Sequence, residues 1–319
     1  MSMNNFTLVV PTHNRHEYLK RSIEYFKSLN ATVIYCDSSE YAYSGGIPKN
    51  IEYLHLAGEN FSKKILISLD KVNTDYVALC ADDDFILIES LYMGCSILNE
   101  DKRFKSVVGK YVSFNANFNG HYFPLYQNIP QDINLELEKN VALFFSNYYQ
   151  ILWAMYDKKL LFNAFQIIHN ANFYNDNYIE MVIGSVACFN GGIKFIDVIW
   201  GVRESSNTEH WATKHATINN IKIANINGDY EKFKFQINKN TMNGYAEKVM
   251  SNYLNSHMIK KGFIKSWISK FIPNFLKFII SKFLLERNKD HFLCLNQSEI
   301  NNLKPVTEIL FKYNRFNVE

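Results

Sequence analysis

The stretch FTLVVPTHNR, from Phe6 to Arg15, gives the first strong indication of the fold of this chain. It begins with an apolar run of strand length, Phe6–Val10, and continues into a polar turn that contains no glycine. Outward from it, short apolar runs alternate with stretches in which apolar residues recur at helical spacing. This order predicts an α/β fold with a mostly parallel, Rossmann-like sheet that carries helices on both faces. The further predicted strands are Thr32–Cys36, Ile51–His55, Tyr76–Cys80, Ser106–Val112, Ile151–Tyr156 and Lys194–Ile199.

Length and composition bound the organisation of the chain. With 319 residues, of which 47% are hydrophobic, it can bury one substantial core and a smaller second unit. We predict an α/β domain over residues 1–235, with a first half over 1–112 and a second half over 113–235. An irregular excursion is expected over 113–135, and helices near 158–170 and 176–190. A helical region over 236–319 follows.

The charge of the chain is distributed unevenly. The segment from Lys248 to Lys289 carries a net charge of +8, which leaves −5 for the rest of a chain whose total is +3. A nucleic-acid-binding protein would spread positive charge over its working face, so this class is not favoured. Apolar residues between Phe263 and Leu285 follow helical spacing, but lysines interrupt every window long enough to span a membrane. This pattern predicts a basic amphipathic helix pair on an anionic membrane surface, with packing as a second core as the alternative.

The N-terminus shows no pattern of a secretory leader, because residues 1–5 are polar and the apolar run after them is only strand-sized. We therefore expect the chain to act in the cytoplasm, peripherally on the inner face of a membrane.

Polar residues directly follow three of the predicted strands. The loop Pro11–Arg15 follows the first strand, Asp37 the second, and three successive aspartates, 82–84, the fourth. Ligands of open parallel sheets bind beyond the carboxyl ends of the strands, so these residues mark a candidate site. Three adjacent carboxylates repel one another and favour a bound cation, for which Mg²⁺ or Mn²⁺ is the best match. The alternative is a solvated acidic turn that caps a helix beginning near Phe85.

In order and spacing, these motifs resemble the bacterial family 2 glycosyltransferases, which have the GT-A fold. Phe6–Arg15 is similar to the opening strand and Pro-Thr-x-Asn-Arg loop of that family, Thr32–Ser39 to its second strand, and Thr74–Phe85 to its acidic motif. The resemblance covers roughly residues 5–205. It implies a metal-dependent, inverting transfer of a sugar from a UDP-linked donor to a saccharide or lipid-linked glycan, in surface polysaccharide or glycoconjugate synthesis.

The resemblance also implies roles in donor binding. Asp37 would accept a hydrogen bond from the ring N–H of the base, and Asp82 would bind the ribose. Lys64 would lie near the donor, with a solvated helix lysine as the alternative, and Arg203 would neutralise phosphate charge. The expected wall around the nucleobase and its loop consist of Pro11, Thr12, His13 and Arg15.

For the metal, the resemblance leaves two registers open. The usual Asp-x-Asp pair would be Asp82 and Asp84, whereas the spacing to the next helix favours Asp83 as the principal ligand. Both registers are open because Ala81 stands where many relatives have the first aspartate. His210 or His215 would complete the metal shell or contact the diphosphate.

An inverting transfer needs a carboxylate that takes the proton of the acceptor hydroxyl. The resemblance implies Asp176 for this role, with Glu180 one helical turn later as the reserve. A plain helix N-cap is the alternative for Asp176. Trp153 is expected to stack on an acceptor sugar, and a place in the core is its alternative.

Two other classes compete with this interpretation. A nucleotidyltransferase also binds Mg²⁺ through carboxylates, but it normally opens with a glycine-rich phosphate loop that Pro11–Arg15 lacks. A catalytically silent, membrane-associated protein that binds sugar nucleotides would keep the fold without turnover.

Overall fold

The computed structural model describes residues 5–146, 148–205, 216–260 and 295–313 of the chain. Its strands are β1 (Phe6–Thr12), β2 (Thr32–Asp37), β3 (Ile51–His55), β4 (Tyr76–Leu79), β5 (Phe85–Ile86), β6 (Phe104–Asn115), β7 (Phe123–Leu125), β8 (Met155–Asp157) and β9 (Gly192–Ser205). They form one sheet in the order β3-β2-β1-β4-β8-β6-β9-β5, and β7 pairs with β6 beside this path.

The helices cover this sheet and extend beyond it. They are α1 (His16–Phe26), α2 (Phe61–Lys71), α3 (Ile88–Glu100), α4 (Leu137–Ser146), α5 (Lys158–Ala171), α6 (Asn177–Asn190), α7 (Ile221–Ala224), α8 (Asp229–Asn240), α9 (Tyr245–Lys260) and α10 (Gln297–Lys312). Side-chain caps fix several starts: Asn60 accepts from the backbone N–H of Lys63 at the start of α2, and Asp157 caps α5.

The first half of the sheet confirms the β-α-β prediction. Strands β3, β2, β1 and β4 are neighbours in that order, and all three of their pairings are parallel. Strand β1 is buried along its whole length, as expected for a central strand of a parallel sheet with both faces covered. The carboxyl ends of β2, β1 and β4 therefore lie side by side, which is where the sequence places its polar residues.

The second half differs from the prediction in several places. The predicted strand Ile151–Tyr156 begins only at Met155, because the chain first makes a turn in which Ala154 N–H donates to the Ile151 carbonyl at 3.0 Å. The region 113–135 is not wholly irregular, since β6 continues into it and pairs with β7. Helix α4 was not expected. Strands β8, β5 and β7 pair antiparallel with their neighbours, so the parallel character is confined to part of the sheet.

The predicted boundary after residue 235 falls within helix α8. Helix α8 packs on α5 and α6, α9 packs on α4, and α10 returns to α1, where Lys312 pairs with Glu24 at 2.6 Å. The basic segment Phe263–Leu285 lies outside the described residues. Within the part of the chain that is described, no helix is both long and apolar enough to cross a membrane.

Gly192, at the start of β9, tests how tightly the second half is packed. A Cβ atom at this position would collide with the backbone carbonyl of Ile133, which cannot rotate away. We expect Gly192→Ala to lower the free energy of unfolding by about 1–3 kcal/mol in denaturant titrations. Gly46→Ala is the matched control, since a Cβ there meets nothing within 4 Å. Equal stability of the two variants would contradict this packing.

Candidate active site

The site lies where β1 and β4 end next to each other. Thr12, the last residue of β1, donates its hydroxyl to a carboxylate oxygen of Asp82 at 2.6 Å. Asp82 follows β4 by three residues, and its side chain is fully buried. The parallel pairing of the two strands therefore brings together two polar residues that are 70 positions apart in sequence.

The three carboxylates of the acidic turn have different surroundings. Asp82 and Asp84 are buried, and burial raises the pKa of Asp82 to about 6 and that of Asp84 to about 7. Asp83 has 22% of its side chain exposed. The turn does not cap the following helix: α3 begins at Ile88, and its N-cap residue Leu87 makes no side-chain cap bond. The helix-cap alternative was therefore wrong.

Arg15 supplies positive charge to this turn. As the N-cap residue of α1, it places its guanidinium between two aspartates, with an ion pair to Asp82 and another to Asp83 at 2.8 Å. Its side chain remains 41% exposed, so the guanidinium lies at the surface of the cleft. In this arrangement the predicted donor-loop arginine contacts the acidic turn directly.

Arg203, on β9, holds the third carboxylate. Its Nε donates to Asp84 at 3.0 Å, and the backbone N–H of Glu204 donates to the other oxygen of Asp84 at 3.1 Å. Both oxygens of Asp84 therefore have protein partners. This geometry does not favour Asp84 as a metal ligand and leaves Asp83 as the carboxylate of the turn that reaches solvent.

A divalent cation fits these residues if one carboxylate binds it together with substrate phosphates and water. In the described ranges, no group of three or more His, Cys, Asp or Glu side chains is placed to hold a metal ion. Mg²⁺, however, is commonly bound by one or two carboxylates together with substrate phosphates and water. Asp83 offers such a carboxylate. The predicted ligands His210 and His215 lie outside the described residues.

Asp37 is buried at the end of β2, and its carboxylate is fully engaged. One oxygen accepts from His16 at 3.0 Å and from Tyr53 at 2.7 Å, while the other accepts from the backbone N–H and the hydroxyl of Ser39. Burial alone would raise its pKa, but these hydrogen bonds outweigh that effect and hold the pKa below its usual value. A direct bond from a base N–H to Asp37 would have to displace a donor. Sequence reasoning did not find His16 and Tyr53.

Lys64 does not extend into solvent as a surface lysine would. It is buried on α2, and its ammonium donates to the Thr12 carbonyl at 2.6 Å and to the Ser38 hydroxyl at 3.1 Å. Burial lowers its pKa. Lys64 thus ties the ends of β1 and β2 together beneath the loop in which Pro11 is buried and His13 is exposed.

Arg21 is a buried residue of the site that sequence reasoning missed. Its guanidinium pairs with Glu204 at 2.8 Å and donates to the backbone carbonyl of Asp83 at 2.8 Å. It therefore fixes the acidic turn against α1 and the end of β9. No motif marks an arginine on the inner face of a helix, so only the tertiary structure reveals this role.

On the opposite side of the cleft, Glu180 is joined to the acidic turn by a chain of hydrogen bonds. Glu180 accepts from Tyr148 and from the Gln150 amide, each at 2.8 Å. The Gln150 oxygen accepts from Arg203, which in turn holds Asp84. Glu180 is thereby tied to the same network as the acidic turn.

Asp176 lies at the N-cap position of α6, one turn before Glu180, and its side chain makes no cap hydrogen bond. The plain-cap alternative is therefore not supported. Trp153 lies in the turn before β8, and its carbonyl accepts from Tyr111 and from Trp200, each at 2.9 Å. Its indole N–H is buried without a partner among the described residues. The tryptophan is thus built into the wall of the second half.

Comparison with known proteins places the fold. No family model matches the chain, and no curated protein sequence matches it. The solved structure of S. aureus TarS 1–349 in complex with UDP-GlcNAc matches with a TM-score of 0.52 and 15% identity, over 79% of this chain and 72% of that chain. TarS 1–349 in complex with UDP gives a TM-score of 0.50 and 14% identity, over 84% and 75% of the two chains. The chain therefore has a GT-A-like, Rossmann-type fold. This likeness concerns the fold and does not extend to family 2 in particular.

Proposed function

We propose that the chain is a glycosyltransferase that moves a sugar from a nucleotide-sugar donor to a saccharide or lipid-linked glycan acceptor, as family 2 enzymes do. The observation that carries this proposal is the meeting of Thr12, Asp82, Asp83 and Arg15 at the carboxyl ends of β1 and β4. In a GT-A fold, this edge of the sheet is where a nucleotide ligand is expected. A structure of the same fold contains UDP-GlcNAc, which supports a UDP-linked donor.

The charged groups of the site have two different roles: some would bind the donor, and others hold the site in position. Arg15 reaches the surface beside Asp83, where its guanidinium can pair with the diphosphate of a donor. Lys64 is buried beneath the loop and holds the strand ends in place. Mn²⁺ or Mg²⁺, bound at Asp83, would offset the charge that develops on the leaving diphosphate. Asp82 stays buried and keeps Thr12 and Arg15 in position, in agreement with a role near the ribose.

The proposed reaction is an inverting displacement. The acceptor oxygen forms a bond to the anomeric carbon while the bond from this carbon to the diphosphate oxygen breaks. The proton of the acceptor hydroxyl moves to the carboxylate of Asp176, and the nucleoside diphosphate leaves. What supports Asp176 is its position at the start of α6, one helical turn before Glu180, which is tied to the acidic turn through Gln150 and Arg203. Glu180 keeps Gln150 and Arg203 in place.

One observation favours a second candidate, a silent protein that binds sugar nucleotides. Arg15 pairs with both Asp82 and Asp83, so the acidic turn is partly neutralised without a divalent cation. A protein of this kind would bind the nucleotide sugar and release no product.

Nucleotide binding tests the donor site. We expect UDP with Mn²⁺ to raise the thermal midpoint, because a ligand at a hundredfold excess over its Kd stabilises the folded state by about 2.7 kcal/mol. ADP, GDP and CDP serve as comparisons. Stabilisation by none of the four nucleotides, with or without Mn²⁺, would rule out the proposed site.

We also propose that the basic segment holds the enzyme on the cytoplasmic face of a membrane. Each basic residue near an anionic surface contributes roughly 1 kcal/mol of attraction. Co-sedimentation with anionic liposomes should therefore weaken with salt. It should also fall when four lysines of this segment are changed to Gln: Lys265, Lys270, Lys277 and Lys282. Equal binding to neutral liposomes, or binding to neither kind, would contradict the proposal.

A further inference from the structure

Tyr126, the residue after β7, has an unusual position among the aromatic residues of the second half. Its ring contacts Tyr111 edge-on at a centroid distance of 6.1 Å and Tyr149 at 5.6 Å. These two neighbours are each only 4% exposed, whereas Tyr126 is 39% exposed. Tyr126 is therefore the outermost ring of a rigid aromatic group, supported from beneath by buried tyrosines.

The backbone of Tyr126 is in the left-handed region, with a φ of 51°. Glycine and asparagine adopt this conformation readily, but a bulky aromatic residue rarely does. Two hydrogen bonds hold it: the Tyr149 hydroxyl donates to the Tyr126 carbonyl at 2.9 Å, and the Gln127 amide donates to the Leu125 carbonyl at 3.0 Å. Residues with such backbone strain cluster at functional sites. A tyrosine kept in this conformation therefore suggests that its ring has a function.

A chain of hydrogen bonds begins next to the partner of this ring. Tyr149, which contacts Tyr126, is flanked in sequence by Tyr148 and Gln150, and both of these residues donate to Glu180. Burial raises the pKa of the Tyr126 hydroxyl, and the charges of Arg203, Glu180 and Asp84 act on the same group. Arg203 and Glu180 are joined through Gln150, so Tyr126 lies beside the hydrogen-bond chain that crosses from the acidic turn to the proposed acceptor side.

We propose that Tyr126 is the stacking platform of the acceptor subsite, on which the apolar face of a saccharide ring packs. The proposal rests on the glycosyltransferase function proposed above. A sugar ring has an apolar C–H face and a polar rim, and it is matched by an aromatic ring next to hydrogen-bonding groups. Glu180 can supply such groups, because each oxygen of a carboxylate accepts more than one hydrogen bond and each already has one donor. Trp153, the residue predicted from sequence to stack on the acceptor, lies in the turn before β8, where the Tyr111 hydroxyl donates to its carbonyl.

The backbone conformation makes the test selective. Tyr126→Asn and Tyr126→Gly remove the ring and relieve the left-handed strain, so we expect thermal midpoints within about 4 °C of the wild type. A purely structural role of the ring would instead lower the midpoint well beyond this range. Tyr126→Phe keeps the platform and loses only the hydroxyl.

Saccharide binding is measured on an array of immobilised hexose and N-acetylhexosamine oligosaccharides, with UDP and Mn²⁺ present. We expect wild type and Tyr126→Phe to bind the same glycans, and Tyr126→Asn and Tyr126→Gly to bind them at least about tenfold more weakly. Phe235→Ala, which removes a 65% exposed ring on α8, should bind like the wild type.

The outcomes separate this inference from the proposed function. UDP affinity should be the same in all variants, because the platform is proposed for the acceptor and not for the donor. If wild type binds UDP but no saccharide, or if Tyr126→Gly binds saccharides like the wild type, the platform is overturned and the donor site stands. If wild type does not bind UDP at all, the proposed function itself is overturned.

Discussion

Replacing Asp83 by asparagine should abolish sugar transfer while the protein stays folded. Asp83 is the carboxylate of the acidic turn that reaches solvent, whereas Asp82 and Asp84 are engaged by protein groups. Asparagine keeps the size of the side chain and a hydrogen-bond acceptor for Arg15, but it removes the negative charge that a divalent cation requires. Loss of an electrostatic group at the reacting centre typically lowers kcat about 10²–10³-fold, and we expect at least this effect. The measurement is product formation at saturating donor.

A control variant and a second measurement, of stabilisation by UDP, show whether the loss of transfer in Asp83→Asn comes from the lost cation ligand. Asp101→Asn removes a surface carboxylate that, within the described part of the chain, forms an ion pair with Arg103 of its own turn, and it should leave transfer unchanged. Stabilisation by UDP that depends on Mn²⁺ should disappear in Asp83→Asn and persist in Asp101→Asn. Full activity of Asp83→Asn in the presence of excess chelator would show that this carboxylate does not hold a cation.

Asp176→Asn should have the second large effect, and this effect should fall on chemistry rather than on binding. A general base contributes about 10²–10⁴-fold to the rate, so kcat should drop by about this factor. Donor affinity should remain near that of the wild type, since the proposed donor groups follow β1 and β4 and Asp176 belongs to neither strand end. The measurement compares kcat with the Kd of the donor in the same variant.

Glu180→Gln is the matched comparison, one helical turn away. Its oxygens accept from Tyr148 and Gln150, so the variant weakens a network that positions Arg203 and should reduce transfer less than Asp176→Asn does. If Glu180→Gln proves the crippled variant and Asp176→Asn remains active, Glu180 is the base and the assignment shifts by one turn.

The first half of the fold could be predicted because its signals are local. Apolar runs such as Phe6–Val10 and Tyr76–Cys80 read as buried strands, and parallel topology brings their carboxyl ends to one edge. The proximity of Thr12 and Asp82 follows from this topology alone. Fold class and the location of the candidate site were thus accessible from the sequence.

Contacts that depend on tertiary packing could not be predicted from the sequence. The pair of Arg21 and Glu204 joins residues 183 positions apart, and nothing in either local sequence indicates it. Lys64 has the sequence context of a surface lysine, yet the loop above it encloses it. The sequence from Ile151 to Ala154 has the apolar pattern of a buried strand. In the structure it forms a turn, closed by the hydrogen bond from the Ala154 N–H to the Ile151 carbonyl.

A glycosyltransferase can release the nucleoside diphosphate slowly from its own sugar-nucleotide donor, with water in place of the acceptor. The purified chain is incubated with UDP-GlcNAc and a panel of other sugar nucleotides, with and without Mn²⁺, and the nucleoside diphosphate released is measured. We expect slow, Mn²⁺-dependent release from at least one donor by the wild type and none above background by Asp83→Asn. No release from any donor, or release of pyrophosphate from ATP instead, would contradict the assignment as a glycosyltransferase.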